Sequence, residues 1–236
     1  MIFFVTGTDT GVGKTYATAL LASGFKKVGK RITTQKLVQT GANSPEDLEI
    51  HSRLAGLELP PLKLSCPYIF SYPAAPETAA SLEGKRIDIL YLKDIVEKLK
   101  KKYEIILIEG VGGLYVPLNQ EYTVLDFINL LMCPVFVVSA ARLGTINHTV
   151  LTIKALKQRG IHVAGLLYNW HFATDEFLAR QSLSDIKRLT GIDNVLEFPT
   201  LPENLPPQLI DMAARFLERI LRVPFNFSSS TLPHEP

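Results

Sequence analysis

Neither sign of charge is in real excess. There are 25 Lys and Arg against 23 Asp and Glu, a net +2 over 236 residues. That gives no electrostatic footprint for a nucleic-acid partner. Cysteine is scarce. Cys66 and Cys133 stand far apart, with no Cys-x-x-Cys spacing. This argues against a disulfide framework and a cysteine-ligated metal, and makes a reducing cytoplasm the expected compartment. A long apolar run is missing as well. The greasiest stretch, 124–141, contains Asp126, Asn129 and Pro134 and falls short of the roughly 20 apolar residues of a membrane span, so no membrane partner is expected. The apolar start, Met1 to Thr6, carries no charged leader or cleavage site. No internal repeat or interdomain linker is visible.

What is present is a core-forming composition, 47% hydrophobic and 20% charged, which rules out disorder as the main state. Short β-branched runs alternate with longer amphipathic ones. Strands are predicted at 2–6, 31–35, 104–109, 134–139, 162–168 and, more weakly, 195–198. Several are apolar throughout, as strands covered on both faces are. Helices are predicted at 13–28, 89–102, 147–159, 175–189 and 208–222, and one starts near Ser44-Pro45-Glu46-Asp47, with Ser44 as N-cap. The pattern predicts a three-layer α/β/α fold with a mostly parallel central sheet, in a single domain over 1–223. Residues 59–83 hold five prolines and read as a long irregular connection. The Ser/Pro-rich segment 224–236 reads as a flexible tail.

The strongest motif runs from Phe3 to Thr15. A buried strand enters the turn Gly7-Thr8-Asp9-Thr10-Gly11-Val12-Gly13, and Lys14-Thr15 open a helix. Backbone N–H groups and a helix N-terminus can surround a polyphosphate there. Lys14 would reach the outer phosphates, and the Thr15 hydroxyl could ligate Mg²⁺. The bland alternative, a tight βα turn with a helical lysine, does not explain the Gly-Lys-Thr ending. The match to G-x-x-x-x-G-K-[ST] is imperfect, because Thr8 stands at the first glycine position.

Two further groups, Lys36 and Glu109, stand at strand ends that face the same crevice of such a sheet. Lys36, in Lys36-Leu37-Val38-Gln39-Thr40-Gly41, follows the second strand and could hold an anionic substrate. Asp47 reads equally as a capping acid or as a Mg²⁺ ligand. Glu109 ends an apolar strand and precedes Gly110-Val111-Gly112-Gly113. A carboxylate there suits Mg²⁺, and the glycines permit close approach of a ligand. Leu143-Gly144-Thr145-Ile146-Asn147 forms a second helix start, suited to an anion or to ordinary capping. The histidines show no metal spacing.

Together these residues resemble the dethiobiotin synthetase family, a P-loop NTPase-like group of ATP-dependent biotin-pathway enzymes. The similarity runs from Phe3 to about Glu203. It rests on the phosphate loop, on Lys36 to Gly41, on Glu109 to Leu118 and above all on Leu143 to Thr149. It implies that 7,8-diaminopelargonate, CO₂ and ATP are converted to dethiobiotin, ADP and phosphate. One amine becomes a carbamate, a carbamate oxygen attacks the γ-phosphate, and the second amine closes the ring on the mixed anhydride. It further implies catalytic roles for Lys14 and Lys36, and Mg²⁺ at Thr15, Asp47 and Glu109. The nucleotide would lie against Gly11, Val12, Gly13, Lys14, Thr15, Tyr16, Gly110, Val111, Gly112, Asn169, Pro199, Thr200 and Leu201. Thr10, Lys36 and Thr40 would contact substrate, as would Thr145 and Asn147 from the second subunit of a homodimer.

Two other readings compete. A cobyrinate-amidating ligase shares the ATP domain but needs a catalytic cysteine in a further domain. A membrane-cycling partition or division ATPase carries a lysine where this chain has Asp9, and would use the helix at 209–222 as an anchor. Asp211 and Glu218 dilute the basic charge of that helix, which favours packing on the core.

Overall fold

The computed structural model describes residues 1–222; the expected domain end at 223 and the tail 224–236 lie outside the described residues. In chain order the elements are β1 (Ile2–Gly7), α1 (Lys14–Lys27), β2 (Ile32–Lys36), β3 (Gln39–Thr40), α2 (Glu46–Ala55), α3 (Leu62–Ser65), β4 (Ile69–Phe70), α4 (Pro76–Leu82), α5 (Ile89–Lys100), β5 (Ile105–Glu109), α6 (Val124–Leu131), β6 (Val135–Ala140), α7 (Thr145–Gln158), β7 (Val163–Asn169), α8 (Glu176–Thr190), β8 (Val195–Phe198) and α9 (Pro207–Leu221).

Six strands form one sheet in the order β2-β5-β1-β6-β7-β8, every pairing parallel. Successive residues of β1 and β5 serve opposite faces. Phe4, Ile106 and Ile108 pack with α5, α6, α7 and α8. Phe3, Val5, Ile105 and Leu107 pack with α1, α2 and α9. Both faces being covered, apolar residues occupy both phases of the alternation. The expected three-layer arrangement is therefore the one observed.

Local chemistry sets the helix ends. Asp88 caps α5 by accepting from the N–H groups of Leu90 and Tyr91, Asp175 caps α8, and Gly191 closes α8 with φ 66°. Helix α9 turns Ala213, Phe216, Leu217 and Ile220 into the core, so the face that an anchor would need is already used. No helix among the described residues is long and apolar enough to cross a membrane.

Three expectations need correction. The segment 59–83 is not irregular throughout: it holds α3, β4 and α4, and β4 pairs in parallel with β3. Pro76 is the first residue of α4, where a missing N–H costs nothing. Ser44 does not cap α2; Pro45 occupies that place and no side chain bonds to the helix start. The Asp47 carboxylate, which a capping box would turn back, faces Lys36 and Thr15 instead. Helix α7 begins at Thr145, not Asn147. Helix α6 was not among the expected elements, although Thr123 and Asp126 form a reciprocal capping box at its start.

Candidate active site

Strand β1 is interior to the sheet, flanked by β5 on one side and β6 on the other. The chain leaves β1 for α1 and returns at the edge as β2. The carboxyl ends of β1, β2 and β5 thus open onto one crevice at a topological switch point. The loop from Gly7 to Gly13 lies there. Gly11 and Gly13 take φ values of 72° and 96°, which an L side chain resists. A Cβ on Gly13 would also stand 2.3 Å from Asn169 Nδ2. That amide donates to the Val12 carbonyl at 3.0 Å, and Asn169 Oδ1 accepts from the His171 N–H at 3.1 Å. Asn169 therefore ties the phosphate loop to the end of β7.

Lys14 is buried beneath the loop, its Nζ donating to the Asp9 carbonyl at 3.1 Å. Burial, followed by repulsion from Lys36, lowers its amine from 10.5 to about 8; the charges of Glu109, Asp47 and Asp9 only partly offset this. Lys36 is better served. Its Nζ lies 2.5 Å from Asp47 Oδ2, 2.7 Å from Glu109 Oε1 and 3.2 Å from the Gly110 carbonyl. Burial disfavours its charge, but the Glu109 and Asp47 carboxylates outweigh burial and raise its pKa. Glu109 is 1% exposed. Burial would push its carboxyl up, yet the Lys36 charge and the His51 hydrogen bond hold it at about 2. The Thr15 hydroxyl lies 2.7 Å from Asp47 Oδ1 and 3.1 Å from Glu109 Oε1. Three oxygen-bearing side chains from α1, α2 and β5 thus meet, and hard oxygen donors suit a hard divalent cation.

These groups line a cleft of about 470 Å³. Of the expected nucleotide and substrate residues, Thr10, Gly11, Gly13, Lys14, Thr15, Tyr16, Lys36, Thr40, Asp47, Glu109, Val111, Gly112, Asn169, Pro199, Thr200 and Leu201 border it. Val12 and Gly110 do not. The Val12 side chain packs into the core, and a Cβ at Gly110 would stand 2.7 Å from the Phe4 ring. Thr145 is buried, with its hydroxyl 2.7 Å from that of Ser139, and Asn147 is exposed; neither reaches this cleft.

Val38, Gln39, His171, Phe172 and Phe198 also border the cleft and were missed. Val38 and Gln39 sit inside a motif already singled out. His171 and Phe172 follow Asn169 in a 3₁₀ turn, and no spacing marks them in advance.

A family model described as an AAA domain matches residues 2–208. A protein of Chlorobaculum tepidum named ATP-dependent dethiobiotin synthetase is 42% identical over 75% of this chain and 76% of its own length. One of the same name from Anaeromyxobacter sp. (strain K) is 37% identical over 95% of this chain and 98% of its own. The chain belongs to the ATP-dependent dethiobiotin synthetase family. Among solved structures, a plasmid partition protein of Borrelia burgdorferi B31 bound to AMPPNP resembles this synthetase-family chain with a TM-score of 0.57 at 15% identity, over 94% of this chain and 98% of that one. The MinC:MinD cell division protein complex of Aquifex aeolicus gives 0.51 at 17%, over 92% and 86%. These two likenesses concern the fold alone. Where partition ATPases are expected to carry a lysine, this synthetase-family chain has Asp9, paired with its own Arg142 at 3.0 Å.

Proposed function

We infer that this chain is a ligase of biotin biosynthesis, converting 7,8-diaminopelargonate, CO₂ and ATP to dethiobiotin, ADP and phosphate. The observation that carries the reading is the convergence of Lys14, Lys36, Thr15, Asp47 and Glu109 on one cleft, in a chain of this family. The reaction needs no protein nucleophile. A substrate amine takes up CO₂ and loses a proton to give a carbamate. One carbamate oxygen attacks the γ-phosphorus and ADP leaves. The second amine then attacks the carbonyl carbon of the mixed anhydride, expelling phosphate and closing the ring. What the protein must supply is charge at the transferring phosphoryl group and at the carbamate, and the two buried lysines supply it. Lys14 serves the outer phosphates, while Lys36, released from Asp47 and Glu109 as ligands enter, serves the carbamate. Thr15, Asp47 and Glu109 would hold Mg²⁺, which neutralises developing phosphate charge when bound. The nucleotide base would lie toward Asn169, Pro199, Thr200 and Leu201.

The cysteine-dependent alternative is disfavoured by the thiols themselves. Cys66 and Cys133 are buried and free, and burial pushes both up to about 12, far from a nucleophilic thiolate.

The remaining assignments are proposals of the same reading. The protein works as a cytoplasmic homodimer with composite sites, each substrate carboxylate being received at Thr145 to Asn147 of the second subunit. In support, Leu143, Tyr115 and Leu151 are exposed, and a groove lined by Tyr115 and Leu151 also touches Thr10 at the edge of the phosphate loop. Apolar exposure of this kind suits burial by another protein surface.

The test is direct product assay. Purified protein with Mg-ATP, bicarbonate and 7,8-diaminopelargonate should yield dethiobiotin and ADP in equal amounts. ATP hydrolysis without dethiobiotin would reject the ligase reading in favour of an ATPase.

A further inference from the structure

His51 lies one helical turn after Asp47 on α2 and is fully buried. Its Nε2 is 2.7 Å from Glu109 Oε2, and its Nδ1 is 3.1 Å from Thr34 Oγ1. The two oxygens of Glu109 therefore have separate duties. Oε1 meets Lys36 and Thr15 at the cleft, whereas Oε2 meets His51 alone among the hydrogen bonds observed at that atom. No other residue of the proposed reaction needs His51, and it does not border the cleft.

We propose that His51 is a positioning residue: with Thr34 behind it, it fixes the Glu109 carboxylate so that Oε1 is presented to the divalent cation that accompanies ATP. The donor pattern follows from the partners. Glu109 is ionised, so Nε2 carries the hydrogen and donates. Nδ1, at the other end of the ring, meets the Thr34 hydroxyl at 3.1 Å. The ring is held at both ends, and the carboxylate cannot turn without leaving Oε2 buried and unbonded, a costly state. Groups behind a metal ligand that fix it in this way typically alter metal affinity by about 10- to 100-fold. α2 thereby supplies both a carboxylate at the cleft and the group that orients the second carboxylate, through an i, i+4 pair on one face. The inference rests on the Mg²⁺ assignment above.

The test measures metal affinity rather than turnover. Mn²⁺, whose free form is counted by electron paramagnetic resonance, is titrated into protein saturated with a non-hydrolysable ATP analogue. Wild type should bind one Mn²⁺ per site beyond the analogue's own weak affinity. If it does not, the metal assignment itself fails, and with it the basis of this inference. Given wild-type binding, His51→Leu keeps bulk and removes the donor. It should weaken Mn²⁺ about 10-fold or more while leaving metal-free analogue binding within about twofold. His51→Gln returns an N–H near the Nε2 position and should recover most of the loss. Thr34→Val removes only the orienting hydroxyl and should give a smaller loss in the same direction. It also serves as the deciding variant should His51→Leu fail to fold. Unchanged Mn²⁺ affinity in His51→Leu, or in Thr34→Val where the leucine variant is unfolded, would overturn the proposal. So would His51→Gln losing as much as His51→Leu, which would reduce His51 to a space-filling role.

Discussion

Lys36 Nζ stands 2.5 Å from Asp47 Oδ2, and the same ammonium is 2.7 Å from Glu109. One buried cation thus holds two carboxylates together. Replacing Lys36 by Met should therefore do two things. It should remove ligase activity, and it should destabilise the ligand-free protein by about 3–5 kcal/mol, because breaking a buried ionic set leaves charge uncompensated. Chemical denaturation of the ligand-free variant checks the second effect. A loss under about 1 kcal/mol would mean that the carboxylates do not depend on Lys36.

Lys14 should behave in the opposite sense. Its folded-state pKa is about 8 against an ordinary 10.5. Below pH 8 the folded and unfolded chains both hold the proton, and the buried charge costs the fold on the order of 3 kcal/mol. Between pH 8 and 10.5 the folded state sheds the proton while the unfolded chain keeps it, so the cost disappears as pH rises. Lys14→Met should thus raise the Tm of the ligand-free protein at pH 7, by a margin that shrinks toward pH 10.5, while ATP binding and turnover collapse. A lowered Tm at pH 7 would show that the ammonium stabilises the empty loop.

Gly13 and Asn169 are coupled by space. Gly13→Ala places a Cβ 2.3 Å from Asn169 Nδ2 at a φ of 96°. The single variant should lose about 1–3 kcal/mol through strain at the left-handed position, plus nucleotide affinity. Adding Asn169→Ala removes the clash but not the strained φ. The double variant should therefore be less destabilised than the sum of the two singles. Strict additivity in a thermal-denaturation cycle would show that the two residues do not touch.

The composite-site proposal is checked by mixing two inactive proteins. Lys14→Ala disables the phosphate loop; Asn147→Glu disables carboxylate capture. In a hybrid dimer one site carries both defects and the other carries neither, so up to about half of one dimer's activity should return on subunit exchange. Proven hybrids without recovery, from a damaging Asn147 variant, would show that each subunit works alone.

The large strands and the cleft were legible in the sequence for one physical reason. A parallel sheet covered on both faces writes itself as apolar runs, such as Ile105 to Ile108, and Glu109 stands where that run ends; Lys36 closes the β-branched but polar strand Ile32-Thr33-Thr34-Gln35. β3 and β4 are two residues each, too short for any periodicity to register. Thr123 and Asp126 do carry a capping signal, but the continuous apolar run after them masks the helical period. Asp47 could not be decided locally: whether its carboxylate caps α2 or enters the cleft depends on Lys36, a partner supplied by another element. His51 shares a helix face with Asp47, yet its role became visible only when the fold brought β5 behind it.

The claim that a carbamate oxygen attacks ATP is tested most directly by following the oxygens of CO₂. Bicarbonate labelled with ¹⁸O is supplied with ATP and 7,8-diaminopelargonate in a brief reaction, before exchange with water, and both products are examined by mass spectrometry. Each phosphate released should carry one oxygen from CO₂, and each dethiobiotin should retain the other in its ring carbonyl. Labelled dethiobiotin accompanied by unlabelled phosphate would contradict the carbamic-phosphoric intermediate and, with it, the roles given to Lys14 and Lys36.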